Sequence, residues 1–229
     1  MTTPKQRIVD QSMFATGLAV TEIFAGVVTL FVILDPIGVL PFFIGLTGGV
    51  STQQRKKLAN RAVAVATGLL LVFALLGDGI LLFLGIQIAD LEIAGGVLLL
   101  VFALRDILSS QPLGMKETSD VLESTKMAET MAVIPIATPL LAGPGSLTVV
   151  MLFAKESLGG IASLGVVISI VAIIVDCLVA WCLLRLGDRI TKALSPTVLL
   201  IIGKVMDILM AAIAVSFLTS GVIAIFSIH

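Results

Sequence analysis

Apolar residues run along this chain in long stretches that are separated by short polar connections. The stretches cover residues 18–46, 62–86, 91–108, 131–154, 161–185 and 197–226. An α-helix needs about 20 residues to cross the roughly 30 Å hydrocarbon core of a bilayer. The third stretch is short and the first is long for one straight crossing, and tilts or helix breaks accommodate both. The pattern therefore predicts an all-α integral membrane protein with six transmembrane helices.

The polar connections differ in their basic residues. The connections after the first, third and fifth stretches hold ten Lys and Arg residues, and the opposite side holds three. Because cytoplasmic loops carry the excess of Lys and Arg, loops one, three and five are predicted to be cytoplasmic. Both termini are then predicted to lie outside.

The longest connection divides the chain into two similar halves. Residues 109–130 form a predicted cytoplasmic linker between a first three-helix repeat, 1–108, and a second one, 131–229. Three is an odd number of crossings, so the halves must pass through the membrane in opposite directions. If the halves are related in sequence, they form an inverted-topology repeat, which is a common plan of transporters.

The opening stretches of the two halves do share a pattern. LDPIGVLPFF in the first half and ATPLLAGPGS in the second each carry two prolines five residues apart. The first proline of each pair, Pro36 or Pro139, follows a residue that caps helices well, Asp35 or Thr138. The match supports two inverted halves, although it is short enough to arise by chance.

These prolines predict breaks in helices 1 and 4 near the membrane midplane. Proline removes a backbone donor and clashes with the preceding turn. Unwound backbone at membrane depth cannot face lipid, so it lines a cavity or is buried in protein. A packing kink would explain one break, but two breaks in inverted halves favour a central binding site. The candidate binding residues are Asp35, Pro36, Ile37, Gly38, Thr138, Pro139, Gly143, Pro144, Gly145 and Ser146.

The chemistry of such a site follows from its helix ends. Asp35 is interpreted as an N-cap, with Pro36 at the first helical position. The half-helix that follows would point free N–H groups at the cavity, which suits a carboxylate or another anion. Unwound carbonyls together with Asp35 suit an ammonium group or a coupling cation. A zwitterion matches both, but the spacing alone does not select it, and Asp35 can equally be a cap that only satisfies its own turn.

Further charges lie inside the apolar stretches. Asp78, Asp176 and Asp207 join Asp35 as candidates for coupling to a proton or another cation, because intramembrane charges are costly and mark ion paths. Each has a simpler alternative. Asp78 can reach the outer interface, and Lys204 can extend to the cytoplasmic boundary and hold Asp207 in a structural pair. Asp176 can accept hydrogen bonds from a neighbouring break without ever titrating.

Composition agrees with a lipid environment and excludes several functions. Hydrophobic residues make up 58% of the 229 residues and charged residues 13%, with a mean hydropathy of +1.18. A net charge of −1 gives no reason to expect nucleic acid. Cys177 and Cys182 do not share a helix face, which favours free thiols. The chain has one histidine and no nucleophile motif, so we expect no metal site, no cofactor and no enzymatic activity.

At the two proline motifs the chain resembles a known family. FVILDPIGVLPFFIGLT and ATPLLAGPGSLTVVMLFA closely resemble signatures of the MarC family of bacterial and archaeal membrane proteins, and MDILMAAIAVSFLTSGV resembles that family's last helix. The resemblance covers nearly the whole chain. It implies a transporter in the cytoplasmic (inner) membrane, and members of the SnatA type are associated with glycine, alanine and proton dependence. Lys204 and Asp207 stand where the family leads us to expect less polar residues.

The resemblance and the residues together predict a secondary transporter for small neutral amino acids, coupled to protons and working by alternating access. Two alternatives remain. One is a channel or exporter for another small metabolite with the same fold. The other is a non-transporting assembly subunit in which the breaks only serve packing.

Overall fold

The computed structural model describes residues 20–47, 50–108, 141–155, 162–193 and 196–227. Within these ranges the chain is helical apart from short connections, and they contain no strand. The helices are α1 (20–34), α2 (Pro36–Leu46), α3 (Thr52–Leu84), α4 (Ile88–Leu108), α5 (Pro144–Lys155), α6 (Ala162–Arg185), α7 (Gly187–Ala193) and α8 (Pro196–Ser227). The all-α class predicted from the sequence is therefore confirmed for the described residues.

Four segments of the described residues are long and apolar enough to cross a membrane. They are Val20–Pro41, Thr52–Gly77, Leu164–Arg185 and Val198–Ser227. Helix α4 has 21 residues, but acidic or basic side chains lie near both of its ends. Helix α5 has 12 residues, and the part of the predicted fourth crossing that precedes residue 141 lies outside the described residues. The count of six crossings stays a prediction.

Large apolar side chains cover the outer faces of these helices. Phe24 is 69% exposed, Leu82 is 85% exposed and Phe83 is 90% exposed. A soluble protein would cover such side chains, because contiguous exposed apolar surface is costly in water. In a bilayer the same side chains face lipid tails, so their exposure agrees with the membrane assignment.

Helix α3 begins earlier than the apolar pattern predicted. The basic segment 55–61 was predicted to be loop, but it forms the first turns of α3, which starts at Thr52. The Ser51 hydroxyl accepts a hydrogen bond from the Gln54 backbone N–H at 3.3 Å. In return the Gln54 side chain accepts one from the Ser51 backbone N–H at 3.1 Å. This capping box fixes the helix start by local hydrogen bonding, which an argument from hydrophobicity overlooks.

Helices α3 and α6 pack against each other in opposite directions. The indole Nε1 of Trp181, near the end of α6, donates to the Asn60 side-chain oxygen near the start of α3 at 2.7 Å. Arg185 stacks over the Trp181 ring at 4.9 Å from its centroid, where Trp and Arg suit a membrane interface. Cys177 and Cys182 of α6 are free thiols, as predicted.

Helices α4 and α8 approach closely, also in opposite directions. A Cβ atom at Gly96 would lie 2.9 Å from the Ala214 carbonyl oxygen, and one at Gly221 would lie 2.8 Å from the Ala89 carbonyl oxygen. Backbones can come this close only where side chains are absent, which is how small residues join membrane helices. The shorter helices fill the remaining space: α2 packs on α6 and α8, and α5 packs on α3, α4 and α6.

Candidate functional site

The first membrane-spanning segment is interrupted at one residue, Asp35. Its φ of 38° lies in the left-handed region, which non-glycine residues seldom adopt although Asp tolerates it better than most. The Asp35 Oδ1 atom accepts a hydrogen bond from the Gly38 backbone N–H at 3.1 Å. The predicted N-cap at Asp35 is confirmed, and Pro36 takes the first helical position.

The interruption is narrower than the sequence predicted. The Asp35 N–H still donates to the Phe31 carbonyl at 3.0 Å, and the Asp35 carbonyl still accepts from the Val39 N–H at 3.0 Å. Pro41, which was expected to add to the unwinding, lies inside α2. The break is therefore a sharp turn at Asp35, followed by a capped half-helix.

Gly38 has a steric reason to be glycine. A Cβ atom there would overlap the carboxylate oxygens of Asp35, so any other residue would push that carboxylate off its cap. At the opposite end of α2, the Arg55 Nη2 atom donates to the Thr47 carbonyl at 2.7 Å. The half-helix thus has a carboxylate at its N-terminus and a guanidinium at its C-terminus, and both charges interact favourably with the helix dipole. The neighbouring Ile37 packs against the core.

The second predicted break lies at the start of α5. Helix α5 begins at Pro144, and the Leu147 N–H donates to the Gly143 carbonyl at 3.0 Å. The buried Ser146 hydroxyl lies 3.0 Å from the Leu141 carbonyl oxygen and 2.9 Å from that of Gly143. Ser146 therefore ties the chain before α5 to the first turn of the helix, which gives this hydroxyl a structural role.

Helix α5 matches α2 in how it starts. Pro144 and Pro36 each occupy the first position of a short helix, so the structure pairs Pro36 with Pro144. The sequence pattern paired Pro36 with Pro139 instead. Thr138 and Pro139 lie outside the described residues. At the second residue of α5, a Cβ atom on Gly145 would overlap Leu99 of α4, so this end of α5 is tightly packed.

A group of charged side chains joins α4 and α8. The Lys204 ammonium lies 3.6 Å from an Asp106 carboxylate oxygen and 3.9 Å from Asp207 Oδ2, and it donates to the Asp106 carbonyl. Lys204 therefore stands between a carboxylate of α4 and a carboxylate of α8. The predicted Lys204–Asp207 pair is thus confirmed. We call Asp106, Lys204 and Asp207 the α4–α8 charge cluster.

Asp106 was not among the candidates from the sequence. It stands in the last turn of an apolar stretch beside Arg105, which made it look like part of a solvated loop end. Only the antiparallel packing of α4 and α8 brings it to Lys204. Within the described ranges, no group of three or more acidic, His or Cys residues is arranged to hold a metal ion.

Asp176 stands apart from that cluster. The residue is 1% exposed, and neither carboxylate oxygen has a hydrogen-bond partner in the described part of the chain. The alternative that Asp176 accepts hydrogen bonds from a neighbouring break therefore finds no support there. Asp78 lies within α3, and its side chain falls outside the described residues.

Long apolar helices with exposed outer faces and a few buried charges define a multi-pass integral membrane protein. Residues 20–226 match the family model described as MarC family integral membrane protein, and the chain belongs to that family. A UPF0056 membrane protein of Methanocaldococcus jannaschii is 32% identical over 195 residues, which cover 85% of this chain and 92% of the relative. The UPF0056 membrane protein YhcE of Escherichia coli is 32% identical over 203 residues, covering 86% and 90%. No solved structure matches this chain.

Proposed function

We propose that this protein is a secondary transporter that moves small neutral amino acids, such as glycine and alanine, across the cytoplasmic membrane together with protons. The observation that carries the proposal is the capped interruption at Asp35 inside a membrane-spanning segment. A carboxylate held in a left-handed conformation at membrane depth is costly in both strain and desolvation. Such a cost is typical of a functional site, since a plain packing helix would avoid it.

The proposed architecture is six transmembrane helices in two inverted three-helix halves. Two short helices, α2 with 11 residues and α5 with 12, each begin at a proline that follows an interruption. Each also packs on long helices of the opposite half: α2 on α6 and α8, and α5 on α3 and α4. A two-fold axis in the membrane plane produces this exchange of partners, and rocking of the halves about it gives alternating access.

The proposed orientation places the basic ends of the helices in the cytoplasm. Asn60 and Trp181 join the start of α3 to the end of α6, and Asp106 and Lys204 join the end of α4 to the start of α8. The connections that follow helices α2, α4 and α6 are the ones that hold the excess of Lys and Arg. The positive-inside rule then supports a cytoplasmic location for that end and an outer location for both termini.

The proposed substrate class follows from the charges near the breaks. The positive end of the α5 dipole favours a carboxylate, and the buried acidic side chains favour an ammonium group, so a zwitterion meets both demands. Leu99 packs directly on Gly145 at the start of α5, so the tight packing there supports a small substrate over a large one. Asp106 and Asp207, which both pair with the Lys204 ammonium, supply a place for the coupling proton.

The proposal is tested by counterflow of radiolabelled glycine and alanine in proteoliposomes, with protein-free liposomes as the control. We expect saturable uptake that an imposed pH gradient drives above equilibrium. Flux that does not saturate would favour a channel over a carrier. No flux of either amino acid, from protein that circular dichroism shows to be helical, would show that the substrate assignment is wrong.

A further inference from the structure

The most unusual side chain in the described part of the molecule is Asp176, in the middle of α6. It is almost fully buried among apolar neighbours such as Ile173 and Ala180. Both of its oxygens lack hydrogen-bond partners in the described residues, and no ion pair compensates it there. Buried carboxylates in proteins are normally paired or hydrogen-bonded, because the lost hydration is otherwise not replaced. The missing partner therefore points to a ligand with a positive charge or a donor proton.

Helix α5 places Asp176 opposite the second break. The Ser169 hydroxyl of α6 donates to the Val150 carbonyl of α5 at 2.9 Å, which fixes the register of the two helices. Asp176 follows Ser169 by seven residues, about two turns, so both project from the same face of α6. The two helices run in opposite directions, and seven residues before Val150 stands Gly143. The face of α6 that carries Asp176 is therefore level with the start of α5 at Gly143 and Pro144.

Helix α1 places Asp176 at the depth of the first break as well. A Cβ atom at Gly26 would lie 3.1 Å from Ile168, and one at Gly187 would lie 3.0 Å from Leu40, so α1 and α2 run in the same direction as α6. Asp176 follows Ile168 by eight residues, and residue 34 follows Gly26 by eight. Asp176 therefore lies within about two helical turns, along the axis, of the interruption at Asp35.

We propose that Asp176 is the counter-ion for the ammonium group of the substrate, at the start of helix α5. The inference rests on the proposed transport function and names a residue for its binding site. The substrate carboxylate then faces the first-turn N–H groups of Gly145 and Ser146, which lack intrahelical acceptors by the geometry of a helix start. At the first break the Asp35 Oδ1 atom is engaged by the Gly38 N–H. Among the buried carboxylates of the described residues, Asp176 is the one whose two oxygens both lack a hydrogen-bond partner.

The experiment compares three inhibitors of alanine counterflow. Glycine carries both charged groups, glycinamide keeps the ammonium group alone, and acetate keeps the carboxylate alone. Asp176→Asn should weaken inhibition by glycine and by glycinamide about 30-fold or more, since one partner of a buried charge pair is lost. Inhibition by acetate should not change. The matched control is Asp90→Asn, at an exposed Asp near the start of α4, which should leave all three inhibitors unaffected.

Two results would overturn the assignment. One is an Asp176→Asn protein that is inhibited like the wild type. The other is an equal loss for acetate and glycinamide, which would show that Asp176 shapes the site without contacting the ammonium group. If the variant does not fold, the wild-type protein is labelled with a hydrophobic carbodiimide and the modified residue is found by mass spectrometry. Glycinamide should protect Asp176 and acetate should not, and labelling that glycinamide leaves unchanged would contradict the proposal.

The same probes separate this inference from the transport assignment. In one possible outcome the wild-type protein shows no glycine or alanine counterflow, but glycinamide raises its thermal unfolding temperature and does not raise that of Asp176→Asn. This outcome would support the ammonium site at Asp176 and contradict the substrate assignment. In the other outcome Asp176→Asn still shows counterflow, and glycinamide inhibits it as it inhibits the wild type. This outcome would support the transport function and show that Asp176 is not part of the binding site.

Discussion

Replacing Gly38 by alanine should destabilise this protein, although the same change in most helices is stabilising. Gly→Ala inside a helix usually gains about 1 kcal/mol, because alanine loses less backbone entropy on folding. At position 38 the added Cβ would overlap the Asp35 carboxylate. That carboxylate must then leave the Gly38 N–H, and the helix start loses its cap.

The magnitude follows from the bond that is lost. A capping side chain contributes about 1 kcal/mol, and a hydrogen bond to a charged group contributes up to about 3 kcal/mol. The matched control is Gly68→Ala in α3, where a Cβ would meet nothing within 4 Å, so it should show the usual gain. We therefore expect Gly38→Ala to be about 1–3 kcal/mol less stable than Gly68→Ala.

The assay is unfolding in mixed micelles by increasing denaturing detergent, followed by the helical circular dichroism signal. A double-mutant cycle then tests the cause. With Asp35→Ala in place, the overlap is gone, and Gly38→Ala should become stabilising by about 1 kcal/mol. Two results would show that the steric argument is wrong. One is that Gly38→Ala stabilises the wild type as Gly68→Ala does. The other is that Gly38→Ala lowers the unfolding free energy by the same amount in the Asp35→Ala background as in the wild type.

Two further predictions follow from the packing of α4 and α8. Asp207→Asn should preserve counterflow but abolish uptake driven by a pH gradient, because an amide beside Lys204 cannot carry the proton; uptake that still follows the gradient would refute this. Gly96→Ala should lower the unfolding free energy by about 1–3 kcal/mol, since its Cβ would meet the Ala214 backbone carbonyl at 2.9 Å and no side-chain rotation relieves that contact. Gly79→Ala, whose Cβ has open space, is the control, measured in the same micelles.

The features that the sequence predicted correctly depend on neighbouring residues. Asp followed by Pro and, two residues later, Gly describes a helix cap almost completely, because the cap bond joins Asp35 to Gly38 across three residues. The free thiols and the all-α class followed from spacing and composition in the same way. The start of α3 is also fixed locally, by the Ser51 and Gln54 capping box, which precedes the apolar stretch and so is not visible in the apolar pattern.

The features that the sequence missed depend on contacts between distant helices. Asp106 and Lys204 are far apart along the chain, and only the close antiparallel approach of α4 and α8, made possible at Gly96, brings them together. The second break shows a different difficulty. Pro139 and Pro144 both allow a helix to begin, and which of them starts α5 is decided by packing against α4 and by the Ser146 hydrogen bonds. Periodicity and propensity carry no information on that choice.

A carboxylate lies near each of the two breaks, but the two carboxylates come from different places in the chain. This difference supports separate roles for Asp35 and Asp176. At the first break Asp35 comes from the interrupted chain itself, and Gly38 engages it, so its charge mainly serves the half-helix. At the second break Gly143 has no side chain to offer, and the carboxylate at that depth is Asp176 of the neighbouring helix, with neither oxygen engaged. An engaged carboxylate stabilises a conformation, while an unengaged one in an apolar setting gains most from a new partner. On this argument we propose the second break as the binding place of an external ammonium group, and substitution of Asp35 should alter stability more than substrate affinity.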